Sequence, residues 1–354
     1  MSLRPRILFA VDAGPDVGGG HVMRSLTLAR ALAERGANCA FLLGPGVEAV
    51  LNAFAPDMPR VPVENIDTEA LMEATGPEAF DALAFDHYGL SAEDHRDVAR
   101  GRPTLVIDDL ADRPLGADMV VDSGPQRRSE DYQGLIPAGA RLLLGPAFAP
   151  VRPEFAALRS QALGRRTGPV DRVLISLGLT DVGGITGRVL DRLRTRIGSI
   201  ALDVVLGSAA PSRAGLERLA RHDPRLTVHV DTQEMARLTA EADIAIGGAG
   251  SSAWERCVLA LPSVMLVLAD NQRPTAQALS GLGAAIAIEA ADPAFDQAFD
   301  RAFLRLYTDA PARMRMAGKS AEVCDGLGAA RTADAFLEVV AAPRQRAAVT
   351  TDLG

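Results

Sequence analysis

Cysteine, aromatic residues and clustered positive charge are all scarce in this chain, and each scarcity excludes something. The three cysteines, Cys39, Cys257 and Cys324, lie far apart. They give neither a disulfide framework nor a zinc spacing, so a reducing cytoplasm is the default expectation. Aromatics make up 4% of residues, with Trp254 the single tryptophan and expected in the core, while alanine is abundant. That composition suits closely packed α/β helices. The formal net charge is −8 and no long basic run occurs, which argues against nucleic acid as a partner, because phosphate contacts need clustered Lys and Arg. Long apolar runs are missing too. The N-terminus leads directly into Ile7-Leu8-Phe9-Ala10-Val11, broken at once by Asp12. That is too short for a signal peptide or a membrane-spanning helix, so no membrane insertion is expected. No Gly-Lys-Ser/Thr phosphate loop is present, which sets aside ATP hydrolysis of that type.

What is present points to two α/β units. At 354 residues, 48% of them hydrophobic and 23% charged, the chain can bury a large core and suggests about two domains. Candidate strands at 7–11, 39–43, 82–85, 104–107, 119–121 and 141–144 alternate with candidate helices at 22–35, 47–54, 68–74 and 92–100. A second series starts near 170, with strands at 172–176, 201–206, 226–230, 244–246 and 263–268 and helices between them. The remainder to about 341 reads as mostly helical. Such alternation implies parallel sheets covered by helices on both faces. The organisation expected is a first Rossmann-like domain at 1–150, a linker at 151–169 carrying the solvated patch Gly164-Arg165-Arg166, a second domain at 170–341, and a polar, disordered tail at 342–354. Two such domains facing each other enclose a cleft.

Two glycine-rich turns stand out, one in each half. Gly18-Gly19-Gly20-His21 follows the first strand and opens a helix. Glycines allow close backbone approach, helix N-termini favour anions, and a histidine there is a candidate general base. The competing reading is a helix-terminal histidine with a structural hydrogen bond. The second turn, Gly247-Gly248-Ala249-Gly250-Ser251-Ser252, offers backbone N–H groups and hydroxyls to a phosphate. Glu255, just beyond it, would suit the paired hydroxyls of a ribose. The alternative is a plain tight turn with Ser251 and Glu255 as a capping box. Polar residues beyond other strand ends, Asp12, Asp86-His87-Tyr88 and Asp108-Asp109, are further candidates, because ligands bind past the carboxyl ends of parallel strands. The aspartate pair, with Asp112, reads as loop and cap chemistry or a sugar contact in preference to a metal site. His87 and His95 read as solvated surface residues, and His222 and His229 have no evident partner.

In their order along the chain these motifs resemble a known family. Val11-Asp12-Ala13, Gly18 to Arg24, Asp86-His87-Tyr88, Ile107 to Arg113, Leu143-Leu144-Gly145-Pro146, Arg152-Pro153-Glu154-Phe155, Gly248 to Glu255 and Asn271-Gln272 look like the UDP-2,4-diacetamido-2,4,6-trideoxy-β-L-altropyranose hydrolases of pseudaminic acid biosynthesis. The resemblance runs from about residue 6 to 340. It implies the two-domain glycosyltransferase B fold of the murein lipid glycosyltransferase, no metal and no cofactor. The implied reaction is hydrolysis of a UDP-sugar to UDP and the free sugar, which serves flagellin or surface-glycan modification. The family's catalytic histidine maps onto His21, and its active-site tyrosine and asparagine onto Tyr88 and Asn271. The substrate-binding set expected is Asp12, Gly20, Asp86, Asp109, Gly248, Gly250, Ser251, Ser252, Glu255 and Gln272, in a monomer. Two departures are evident. Leu179 stands in Ser176-Leu177-Gly178-Leu179-Thr180-Asp181 where a glycine is usual, and Pro146-Ala147-Phe148-Ala149-Pro150 lacks the usual tyrosine. A UDP-sugar glycosyltransferase of the same fold and a non-catalytic nucleotide-sugar binder are the competing functions.

Overall fold

The computed structural model describes residues 4–14, 19–63, 67–165 and 168–343. Gly18, Arg166 and the tail from 344 onward, for each of which the sequence carries an expectation, lie outside the described residues. In chain order the first half contains β1 (Arg6–Val11), α1 (Gly20–Ala33), β2 (Asn38–Leu43), α2 (Pro45–Phe54), β3 (Arg60–Pro62), α3 (Thr68–Ala79), β4 (Ala82–Asp86), α4 (Ala92–Ala99), β5 (Thr104–Ile107), β6 (Met119–Asp122) and β7 (Arg141–Leu144). The second half follows with α5 (Pro153–Arg165), β8 (Arg172–Ser176), α6 (Ile185–Arg194), β9 (Ala201–Leu206), α7 (Arg213–Ala220), β10 (Leu226–Val230), α8 (Met235–Glu241), β11 (Ile244–Gly248), α9 (Ser252–Val258), β12 (Ser263–Val267), α10 (Arg273–Gly281), β13 (Ile286–Glu289), α11 (Phe295–Thr308), α12 (Ala310–Val323) and α13 (Gly328–Ala341).

The strands form two parallel sheets, in the orders β3-β2-β1-β4-β5-β6-β7 and β10-β9-β8-β11-β12-β13. Central strands such as β4, β11 and β12 are buried along their whole length. Apart from Asp86 at the end of β4 and Ser263 at the start of β12, they run without polar residues instead of alternating, as strands covered on both faces do. In each sheet the order reverses next to the first strand, between β1 and β4 and between β8 and β11. At such switch points the loops leave the sheet in opposite directions and open a crevice. The register sets Val11 beside Asp86 and Gly247 beside Ser176. The glycine turns after β1 and β11 thus stand at the two crevices. Among the described residues, no helix is long and apolar enough to cross a membrane.

Three parts of the fold differ from the expected organisation. The segment at 151–169 is no open connection, because α5 buries Phe155 and Ala162 against the second sheet's helices. Helix α13, expected with the second half, crosses back to the first. Its Ala329, Ala333 and Phe336 join the core formed by Leu28, Leu32 and Phe41. Gly328 makes the crossing feasible, since a Cβ there would lie 2.2 Å from the Ala149 carbonyl oxygen. Arg35 with Asp334 (2.5 Å) and Arg141 with Glu338 (2.6 Å) hold the outer side of α13. The edge strands β3 and β13 are additions. β3 has neither the alternation nor the apolar run that marks a strand, and it ends on a proline, a residue that edge strands tolerate, whereas β13 does lie in an apolar run, Ala284-Ala285-Ile286-Ala287-Ile288.

Because Phe336 is fully buried in the first half's core, Phe336→Ala should destabilise the protein by about 3–5 kcal/mol, as large-to-small core changes do. Urea unfolding of the full chain measures this. A loss below about 1 kcal/mol would mean that α13 contributes little to that core.

Candidate active site

The site is built around the start of α1. Gly19 precedes the helix without a capping side chain, and His21 sits in its first turn, 5% exposed. Arg24, three residues on and thus on the same face, reaches the ends of two other strands. Its Nε and Nη2 donate to the two oxygens of Asp86 at 2.8 and 2.6 Å, and its Nη1 donates to Asp109 at 2.8 Å. Ser25 Oγ adds a bond to Asp86 at 2.9 Å. His21 Nδ1 lies 3.4 Å from Asp86 Oδ1 but makes no aligned hydrogen bond. The imidazole therefore feels the carboxylate without being locked to it. That carboxylate favours the proton on Nδ1, which leaves Nε2 as the basic nitrogen.

Tyr88 closes the group. Its ring meets His21 edge-on, with centroids 4.7 Å apart at 81°. Its hydroxyl donates to Asp109 Oδ1 at 2.7 Å and accepts from Asn271 Nδ2 at 3.0 Å. Asn271 belongs to the second half, so this bond crosses the cleft. The expected catalytic trio of His21, Tyr88 and Asn271 lies in one contiguous cluster. The second glycine turn stands opposite, where a Cβ on Gly20 would come 3.7 Å from Ser251 Oγ. Gln272 Oε1 accepts from the backbone of Ala249 (3.3 Å) and Leu268 (3.2 Å), which ties the turn to the 270–272 loop.

The electrostatics keep His21 neutral. Burial lowers its pKa most and the Arg24 charge lowers it further, while Asp86, Asp109 and Asp12 pull the other way without prevailing. Asp109 is pushed up by burial, but Arg24 and the hydrogen bonds from Arg24 and Tyr88 hold it below the usual carboxylate range. Burial, then the Asp109 charge, raises the Tyr88 phenol well above its ordinary value, so it acts only as a neutral donor and acceptor.

No protein-family model matches the chain. The chain is 26% identical over 284 residues to the UDP-2,4-diacetamido-2,4,6-trideoxy-β-L-altropyranose hydrolase of Campylobacter jejuni, covering 78% of this chain and 97% of that protein. It is 25% identical to the spore coat polysaccharide biosynthesis protein SpsG of Bacillus subtilis over 330 residues, 90% of this chain and 94% of that one. Among solved structures it superposes on MurG of Acinetobacter baumannii with a TM-score of 0.65 at 18% identity, covering 94% of this chain and 99% of the other. The chain has the glycosyltransferase B fold. The resemblance to the altropyranose hydrolases, first read from the motifs, holds over most of its length.

Within that fold several candidate residues take other parts than expected. Asp86 is no sugar contact. It is 1% exposed, and Arg24 and Ser25 occupy its oxygens, so it positions the helix that carries His21. Glu255 makes no capping box with Ser251. Its Oε1 instead accepts from Arg152 Nε and Nη2 at 3.0 and 2.8 Å. Asp108 is a structural acceptor for the Ala111 N–H, Arg113 and Tyr132. His95 is completely buried against Phe85, and its Nδ1 accepts from the Gly116 N–H. Burial takes its pKa down to about 4. His229 does have a partner, with Nε2 2.8 Å from Asp203 Oδ1. Trp254 is buried as expected. Leu179 fills the space above Gly19, where an added Cβ would be 2.9 Å from Leu179 Cδ1. Arg24, Arg152 and Arg256 had no assigned role. The available signal was an arginine at helical spacing from a glycine turn, and that pattern alone does not separate a buried charge from a solvated one.

Asp86→Asn tests the coupling. It removes a group that raises the His21 pKa, so the imidazole should titrate still further below its ordinary 6.5 in NMR. It also leaves Arg24 with one carboxylate, and unfolding stability should fall by about 3–5 kcal/mol, as when one partner of a buried pair is deleted. An unmoved His21 titration would show that Asp86 has no electrostatic hold on it.

Proposed function

We propose that this protein hydrolyses a UDP-sugar by attack of water at the anomeric carbon, and that UDP-2,4-diacetamido-2,4,6-trideoxy-β-L-altropyranose is its substrate. The observation that carries this reading is the meeting of His21, Tyr88 and Asn271 from the two halves, with a buried neutral histidine facing the cleft. His21 Nε2 would take a proton from water as the new C–O bond forms. Asp86, 3.4 Å from Nδ1, would stabilise the imidazolium as it develops. General-base help of this kind is worth about 10²–10⁴-fold. As the bond from the anomeric carbon to the phosphate oxygen breaks, its electron pair leaves with UDP. The N–H groups and hydroxyls around Gly248, Gly250, Ser251 and Ser252 would receive that charge where it grows. Asn271 and the Tyr88 hydroxyl would orient the sugar and the water. Glu255, held by Arg152, would take the ribose hydroxyls. One displacement without a covalent intermediate inverts the anomeric configuration. The free sugar would then enter pseudaminic acid synthesis for surface or flagellin glycans.

The deciding experiment is incubation with UDP-diacetamido sugars and no acceptor, following UDP and the anomer released by NMR. Release of UDP with an inverted free sugar is expected. Release only after an acceptor is added would make the protein a glycosyltransferase, and an intact ligand would make it a binding protein. His21→Leu should abolish release and leave UDP affinity nearly intact; normal turnover in that variant would remove His21 from the mechanism. In the wild type the base must be neutral, and its pKa is lowered. The acid limb of kcat/KM should therefore fall below pH 6.5, about the ordinary histidine value.

A further inference from the structure

Arg256 lies on α9, one turn beyond Ser252, and is 3% exposed. Its Nη2 donates to the Gly248 carbonyl at 2.6 Å and its Nη1 to Ser252 Oγ at 3.1 Å. Among the described residues its Nε has no partner. Among the described residues no carboxylate forms an ion pair with it, and the neighbouring Glu255 is engaged by Arg152. Gly247 is shaped around it. A Cβ at that position would lie 2.4 Å from Nη1 and 2.7 Å from Cζ, so the guanidinium rests against the turn where any other residue would put a side chain.

A buried charge without a partner is costly, and buried ions are ordinarily paired. Other buried arginines here are compensated, by carboxylates or by carbonyls. Arg24 has two carboxylates and Arg152 has Glu255. Arg313, also without a carboxylate, meets the carbonyls of Leu306 and Tyr307 at the C-terminal end of α11 and that of Gly168, where a helix favours positive charge. Arg256 has one carbonyl and one hydroxyl, both belonging to the glycine turn. Burial lowers its pKa to about 10, which still leaves it charged at neutral pH.

We propose that Arg256 is the positioning residue for the leaving diphosphate: from beneath the 247–252 turn it fixes Ser252 and the Gly248 carbonyl, and it supplies the positive charge that the bound diphosphate neutralises. This rests on reading that turn as the diphosphate cradle. A guanidinium within a few ångströms of a phosphate, at an effective dielectric near 20, accounts for about 100-fold in affinity.

Titration calorimetry with UDP and with uridine tests it. Arg256→Met should weaken UDP binding by about 100-fold and uridine binding by less than about threefold, because only UDP carries the charge that Arg256 answers. Arg256→Lys, which keeps the charge, should recover UDP affinity to within about tenfold. Equal losses for UDP and uridine, or an unchanged UDP affinity, would overturn the proposal and leave Arg256 as a staple of the turn. Should Arg256→Met fail to fold, Gly247→Ala decides. Its Cβ displaces the guanidinium, and it should weaken UDP selectively; unchanged UDP binding would overturn the proposal. Wild-type protein that binds no UDP would overturn this inference together with the cradle. Wild-type protein that binds UDP but releases none from UDP-sugars would overturn hydrolysis alone.

Discussion

The site depends first on one buried guanidinium. Arg24 projects from α1 and is gripped by Asp86 at the end of β4 and Asp109 beyond β5. Three consecutive parts of the first sheet are thereby fixed relative to the helix that carries His21. The arrangement also settles a competition. Asp86 could have bound His21 tightly, and a tight ion pair would have raised the histidine's pKa and left it protonated at neutral pH. Arg24 takes both oxygens with charge-assisted bonds of 2.6 and 2.8 Å, while His21 stays at 3.4 Å without alignment. Burial and the arginine then prevail, and the imidazole remains a base. Around it stands one guanidinium against two carboxylates, a surplus of negative charge suited to an imidazolium once a proton arrives.

The second constraint is topological. Both sheets reverse their strand order beside the first strand, so each half presents its glycine turn at a crevice. Besides the α13 contacts, several other residues join the halves. Asn271 reaches Tyr88, Gln233 Nε2 donates to the Ala53 carbonyl at 3.0 Å, and Leu179 packs over Gly19 and Val50. The Leu179 contact is apolar and lies directly before His21. A glycine at 179 would leave that space to a ligand, whereas leucine turns it into a contact between the halves. The wall of the crevice nearest Gly19 is therefore made by a side chain.

Much of this was legible in the sequence because it depends on local pattern. Continuous apolar runs between helical periods marked the central strands, and the glycine turns marked the ends of β1 and β11. What stayed hidden depends on long-range pairing. Nothing around Phe336 says that α13 returns to the first core, since its apolar spacing fits either half equally well. Asp86 and Asp109 look alike beyond their strands. Only the reach of Arg24 makes one a buried positioning group and leaves the other to hold the Tyr88 hydroxyl. Ser251 and Glu255 stand four residues apart, one more than a capping box needs, and Glu255 turns instead to Arg152 from a distant segment. His95 and His229 were misplaced for the same reason, because burial and partner come from segments far away in sequence.

The two glycine turns share an architecture and differ in charge, and that difference supports the roles proposed for them. Each follows a parallel strand, opens a helix and has an arginine within one turn of that helix's start. In the first half the arginine is neutralised by two carboxylates, so an anionic group gains little there, and the turn is better suited to a neutral sugar and water. In the second half no carboxylate among the described residues forms an ion pair with the arginine, which donates only to the Gly248 carbonyl and the Ser252 hydroxyl. Charge developing during cleavage would move along this gradient. A proton would pass to the side with excess negative charge, and the electron pair to the side with an unanswered positive one. A displacement that needs a base at one end and a stable leaving anion at the other finds both polarities already in place.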